Sequence, residues 1–160
     1  MKEWANFFVT MGGAAATLTG LIFVGISINL NKILSIARLP DRASQALMLL
    51  VTVMIVSALC LVPLQSTMLF GLEILAIGIL IWIINIRLDI GIFQKTSAHY
   101  KKRYLVNALL TQLSVLPYVA SGVVMLIWGN AGVYILIPGF IFSFIKSVLD
   151  AWVLLVEINR

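Results

Sequence analysis

Three stretches of this chain carry no charge at all. No Asp, Glu, Lys or Arg occurs from Trp4 to Asn31, from Ala43 to Leu72, or from Tyr104 to Ile145. Each is long enough to cross a bilayer, since a helical span needs about 20 apolar residues. Composition points the same way. Hydrophobic residues make up 62% of the chain and charged residues only 11%, against about 25% charged in a soluble domain whose surface must be hydrated. Disorder, a collagen-like chain and a disulfide scaffold are excluded on the same grounds.

One Cys and one His in 160 residues leave no structural zinc site, haem-attachment motif, redox pair or internal disulfide to assemble. Cys60, inside an apolar run, reads as a small buried hydrophobe. The net charge of +5 does not point to nucleic acid, because the basic residues flank apolar spans instead of coating a soluble face. Anionic lipid headgroups are the expected counter-charge.

The spacing of polar residues divides the chain into five expected spans within a single transmembrane domain over residues 1–160, an all-α integral membrane bundle. The first runs from 4 to 30. Ala14-Ala15-Ala16 superficially offers a signal-peptidase site, but the apolar stretch before it is too short for a signal sequence, so the span is read as uncleaved. From Ala43 to Ile86 a single charge, Glu73, interrupts a run too long for one crossing at about 1.5 Å per residue. Two helices, 42–62 and 68–86, are therefore expected to fold back at Pro63-Leu64-Gln65-Ser66. Asp41 is expected to cap the first of them. Arg87 to Arg103 is expected to lie along the membrane surface. A fourth span, 104–128, is expected to be kinked or locally loosened at Pro117. Gly129-Asn130-Ala131-Gly132 turns into a fifth, 133–156.

Five crossings put the Lys32–Arg42 loop, the Arg87–Arg103 loop and Arg160 on one side. Together they hold nine Lys or Arg, against Lys2 alone on the other side. The positive-inside rule then predicts an outside N-terminus and a cytoplasmic C-terminus. Lys101, Lys102 and Arg103 are expected to anchor on lipid headgroups.

Within the first span Asn6, Thr10, Gly13, Thr17, Gly20, Ser27 and Asn31 fall on steps of three and four, with Val24 filling the one missing place, giving one polar or small face. Gly12, Ala16 and Gly20 form the small-xxx-small pattern that lets helix backbones approach. Such a face serves either dry helix packing or the lining of a water-filled path, because neutral hydroxyls hydrate an ion without trapping it. The fourth span carries a comparable face in Asn107, Thr111, Ser114, Tyr118 and Ser121. The fifth repeats Gly139, Ser143, Ser147 and Ala151 every four residues.

Lys146 and Asp150 are the most informative pair. They lie one turn apart and deep within the fifth span, where an unpaired charge costs at least about 2.5–3.5 kcal/mol. They read either as a buried ion pair or as an ion-binding or gating position. Glu73, one turn inside a helix start, is expected at the outer interface. No nucleophile has a base beside it and the carboxylates are scattered, so no enzyme, metal site or cofactor is expected.

Trp4-Ala-Asn-Phe-Phe8, the run Gly13-Ala-Ala-Ala-Thr-Leu-Thr-Gly-Leu-Ile-Phe-Val24 with Ser27, Leu39-Pro-Asp-Arg42 and Leu61-Val-Pro63 resemble a group of small uncharacterised bacterial multi-pass membrane proteins, some labelled as modulators of the FtsH membrane protease. The resemblance covers about the first half of the chain. It implies a bacterial plasma membrane location and supplies no functional residues.

The residues therefore lead to a lipid-embedded homo-oligomer, an ion channel or pore lined by the first helix. The alternative is a non-conducting accessory or regulatory subunit bound to a larger membrane protein such as a membrane protease.

Overall fold

The computed structural model describes residues 4–94 and 101–158, with only the backbone given for 101–104 and 158. The described residues are helical almost throughout, with no strand among them. Helix α1 spans Ala5–Ile28, α2 Leu30–Ser35, α3 Leu39–Cys60, α4 Thr67–Gln94, α5 Lys101–Trp128 and α6 Val133–Ile158, with a 3-10 turn at Gly129–Gly132 between the last two. Helices α1, α3, α4 and the continuous helical stretch Leu105–Glu157 are long and apolar enough to cross a membrane. That last stretch folds back on itself at Gly129, whose φ of +64° a side chain would resist. Tyr118 meets Ser143 and Ser121 meets Gly132 across the fold. Antiparallel α5 and α6 are each long enough for a crossing, and with α1, α3 and α4 they make a bundle of five membrane-length helices. Even α3, the shortest at 22 residues, is about 33 Å long, enough for a hydrocarbon layer of about 30 Å.

Helices α3, α4, α5 and α6 close a ring in which each packs on the next and α6 returns to α3, while α1 leans on α3 from outside. The backbones of α4 and α5 approach closely because glycine lies at the crossing. A Cβ on Gly78 would stand 2.9 Å from the Val119 nitrogen, and one on Gly122 2.6 Å from the Leu75 nitrogen. Small residues give this contact in lipid, where apolar side chains gain little by leaving the solvent for one another. The outer surface is correspondingly greasy, with Leu21, Phe23, Leu69, Leu80, Leu109, Ile127, Val148 and Leu155 all exposed.

Alternating directions give the bundle two ends. One carries Trp4, the 61–66 turn and Gly129–Gly132, and Trp4 meets Tyr134 there edge to face at 5.2 Å. The other, here the basic end, carries Lys32, Arg38, Arg42 and Arg87, with Arg38 paired to Glu157 at 3.2 Å.

Several boundaries differ from those expected. The first helix stops at Ile28, because Asn29 turns its side-chain amide back onto the Gly25 carbonyl at 3.1 Å, and Asn31 falls on the separate α2. Asp41 is not a cap. Helix α3 starts at Leu39 with Arg38 at the cap position, which lets Pro40 spend its missing N–H in the first turn, and Asp41 sits inside that turn. Helix α4 runs on to Gln94, so 87–94 extend the helix instead of lying along the surface. Lys101, Lys102 and Arg103 open α5, with side chains outside the described residues. Lys2, Lys95, His99 and Arg160 also lie outside them. Helix α5 continues through Pro117, whose ring packs toward Gly139 of α6.

Candidate functional site

Polar residues from four helices converge inside the half of the ring nearer the basic end. On α3, Arg42, Gln45, Ala46 and Leu49 follow the steps of three and four that put residues on one helical face. Helix α4 supplies Ile81, Asn85 and Asp89 at steps of four, and α6 supplies Ser143, Lys146, Ser147 and Asp150. Gln45, Asn85, Lys146, Ser147 and Asp150 are at most 1% exposed, and Asp89 is buried as well.

Lys146 Nζ donates to Asp150 Oδ2 within α6. Arg42 Nη1 stands 3.8 Å from Asp150 Oδ1, across from α3. Gln45 Nε2 donates to Asp89 Oδ1 at 2.8 Å. Gln112 of α5 accepts from Trp82 Nε1 at 2.7 Å and turns its amide toward Asp89. Ser147 Oγ donates to the Ala46 carbonyl at 3.0 Å and ties α6 to α3 beneath the charges. Two cations, Arg42 and Lys146, thus face two anions, Asp89 and Asp150, so the cluster is formally neutral. Neutrality is what makes four ionisable groups tolerable there, since an isolated charge would carry its full desolvation cost.

The cluster is not fully saturated. Gln45 Oε1, Asn85 Oδ1 and Asp150 Oδ1 are buried and accept no hydrogen bond from the protein. Asn85 instead uses its amide on the Ile81 carbonyl at 2.9 Å.

Lys146 and Asp150 were legible in sequence as a pair. Their company was not, because Asp89 lies in a stretch read as a surface connection and Gln45 in one read as plain span. A signal was present: Asp89 follows Asn85 by four residues and precedes Ile92 by three, a helical spacing that continues past Arg87.

The two hydroxyl faces part company. On α5, Thr111, Ser114, Tyr118 and Ser121 are wholly buried. Thr111 and Ser114 bond the carbonyls of Asn107 and Leu110, Tyr118 meets Ser143 at 3.0 Å, and Ser121 donates to the Gly132 carbonyl at 2.8 Å. Every hydroxyl in that seam is satisfied within one protomer. On α1 and its continuation, Asn6, Thr10, Gly13, Thr17, Gly20, Ser27 and Asn31 are all exposed on the outside of the bundle. Thr10, Thr17 and Ser27 bond carbonyls one turn back, at 2.7, 2.9 and 2.8 Å. The small-xxx-small series splits, with Gly12 against Ser57 of α3 and Gly20 touching nothing. Glu73, exposed near the turn, accepts from Gln65 Nε2.

No family model matches the chain, and no curated protein or solved structure matches it either.

Proposed function

We propose that the chain is a small homo-oligomeric membrane protein whose α1 helices meet between copies, and that an ion path runs between protomers along Asn6, Thr10, Gly13, Thr17, Gly20 and Ser27. A single observation carries this reading. Helix α1 buries only Phe8 and Ala15 against its own bundle and leaves Asn6, Thr10, Gly13, Thr17, Gly20 and Ser27 exposed on its outer face. In hydrocarbon that face gains nothing from lipid tails, whereas a second helix can pack closely on its glycines.

A path inside one protomer has no comparable support, since the α5 hydroxyl seam is closed by its own hydrogen bonds. The role is read as non-catalytic. The basic end is read as cytoplasmic, in a bacterial plasma membrane, from the excess of Lys and Arg there.

Single cysteines at Thr10, Thr17 and Ser27, in a Cys60→Ala background, test the path. They are expected to react with water-soluble thiol reagents in membranes, while Leu18→Cys and Ile22→Cys stay protected. A symmetric homo-oligomer in mild detergent is expected alongside. Equal protection at all five positions removes the conducting path. A monomer that co-purifies stoichiometrically with a membrane protease or transporter replaces it with the accessory-subunit reading.

A further inference from the structure

We propose that the groove between the basic-end halves of α1 and α6 holds one acyl chain of an anionic glycerophospholipid, with the lipid phosphate at Lys32 and Arg38. The site lies within one protomer and off the polar α1 face along which copies are proposed to meet, so it stands or falls separately from the ion path.

Helices α1 and α6 run in the same direction and meet near their starts. Trp4 packs on Tyr134, and Phe7 stacks on Phe140 at 6.1 Å. Toward the basic end the bulk disappears from the facing positions, where Gly25 stands on α1 and Ala151 on α6. A cavity of about 220 Å³ opens between them, walled by Leu21 and Leu155 and floored by Ile33 of α2 and Leu154. Ile33 and Leu154 are only 2% and 4% exposed, whereas Leu21 and Leu155 are 65% and 50% exposed. The groove thus has a closed floor and opens sideways, level with the last two turns of α1.

Its lining decides what enters. Every lining residue is apolar, and the Gly25 carbonyl already accepts from the Asn29 amide. A buried water needs about 2–4 polar partners, so water gains nothing there, while an empty gap would forfeit dispersion contacts along the lining. An apolar cavity of about 150 Å³ takes up benzene, and this one is larger. A second helix, about 10 Å across with its side chains, is too broad for the groove; a single methylene chain is not.

Charge selects the headgroup. At its basic end the groove leads to α2, where exposed Lys32 precedes Ile33, and to Arg38, whose side chain is 34% exposed and pairs through Nη2 with Glu157. A guanidinium has further N–H donors to offer a phosphate. Two cations, Lys32 and Arg38, against one anion, Glu157, leave one positive charge in excess where a phosphodiester would stand. Basic pockets between spanning helices bind anionic headgroups in this way.

The test uses purified full-length protein in detergent, titrated with phosphatidylglycerol or phosphatidylcholine of the same oleoyl chains and read by native mass spectrometry. One phosphatidylglycerol per protomer is expected to be retained, with affinity at least about fivefold above that of phosphatidylcholine. In Gly25→Leu the new Cβ meets nothing within 4 Å and the side chain fills the groove. That variant is expected to stay folded and to bind phosphatidylglycerol at least about fivefold more weakly. Lys32→Gln is expected to cut the preference for phosphatidylglycerol and leave phosphatidylcholine binding as it was. Equal retention of the two lipids by wild type overturns the proposal. So does a folded Gly25→Leu that holds phosphatidylglycerol like the wild type, an unchanged preference in Lys32→Gln, or a wild type that retains no lipid because a second copy covers the groove. Should Gly25→Leu fail to fold, Ala151→Leu closes the same groove from α6 and decides in its place.

Discussion

Arg42, in the first turn of α3, stands 3.8 Å from one carboxylate oxygen of Asp150 on α6, while Lys146 holds the other oxygen from within α6 itself. The two cations differ in what they can do without Asp150. Arg42 is near the basic end and partly exposed, so it can turn its guanidinium to water or headgroups. Lys146 is 1% exposed and lies one turn deeper in the bundle than Asp150, with its ammonium held on that carboxylate and no comparable route to water.

Removing the anion alone should therefore be severe. Asp150→Leu leaves a buried lysine without its partner, and breaking a buried pair from one side costs about 3–5 kcal/mol. The double substitution Lys146→Met with Asp150→Leu should recover most of that loss, because the cluster then keeps one cation, the escapable Arg42, and one anion, Asp89, and stays formally neutral. Denaturant titration or thermal melting in detergent, run as a double-mutant cycle, measures the difference. A double variant no more stable than Asp150→Leu would mean that Lys146 is not the stranded charge.

The helix crossing of α4 and α5 gives a sharper steric prediction. In Gly122→Ala the new methyl would lie 2.6 Å from the Leu75 nitrogen and 2.7 Å from its Cα, and backbone atoms cannot rotate aside. The helices must part, at a cost of about 1–3 kcal/mol or more. Gly13→Ala on α1 meets nothing within 4 Å. It should be neutral within the protomer or slightly stabilising, as alanine favours helix by up to about 1 kcal/mol. Comparing the two melting temperatures checks the contrast.

Tyr118→Phe isolates one hydrogen bond. It removes the 3.0 Å contact to Ser143 without opening a cavity, and Ser143 can fall back on a carbonyl of its own helix. A loss of about 0.6 kcal/mol, and no more than about 1.7, is expected from interhelical bonds of this kind in membranes. A loss several times larger, read by the same denaturation assay, would mean that the hydroxyl supports a wider network than its single partner.

Much of the architecture could be read before any coordinates, for a plain reason. An apolar run of fixed length has few options, and the turns at Pro63–Ser66 and Gly129–Gly132 are written in proline and glycine. Helix ends set by side chains were harder. Nothing local marks Asn29 as a stop except its ability to reach back to Gly25, and α4 outruns Arg87 because Asp89 finds Gln45 on a helix 44 residues away in sequence. Periodicity also states that a face exists without naming its neighbour. Thr10-Gly13-Thr17 and Thr111-Ser114-Tyr118 look alike as patterns, yet the ring buries the second and leaves the first outside, because α5 has α4 and α6 beside it and α1 has chiefly α3.

How firmly α1 sits on α3 can be measured directly. A Cβ at Gly12 would lie 3.3 Å from the Cβ of Ser57, just under the separation of about 3.5–4.5 Å found across disulfides. A shift of a few tenths of an ångström brings the pair into range. In a Cys60→Ala background, Gly12→Cys with Ser57→Cys should therefore form an intramolecular disulfide readily under mild oxidation, seen as a mass loss of two hydrogens within one chain. Gly20→Cys has no partner within its own protomer. It should remain reduced in dilute detergent and yield crosslinked dimers only where a second α1 lies against it, so its behaviour in intact membranes reads out contact between copies. Absence of the 12–57 bond in protein that still melts cooperatively would show that α1 swings free of the ring, which would move its exposed face as well.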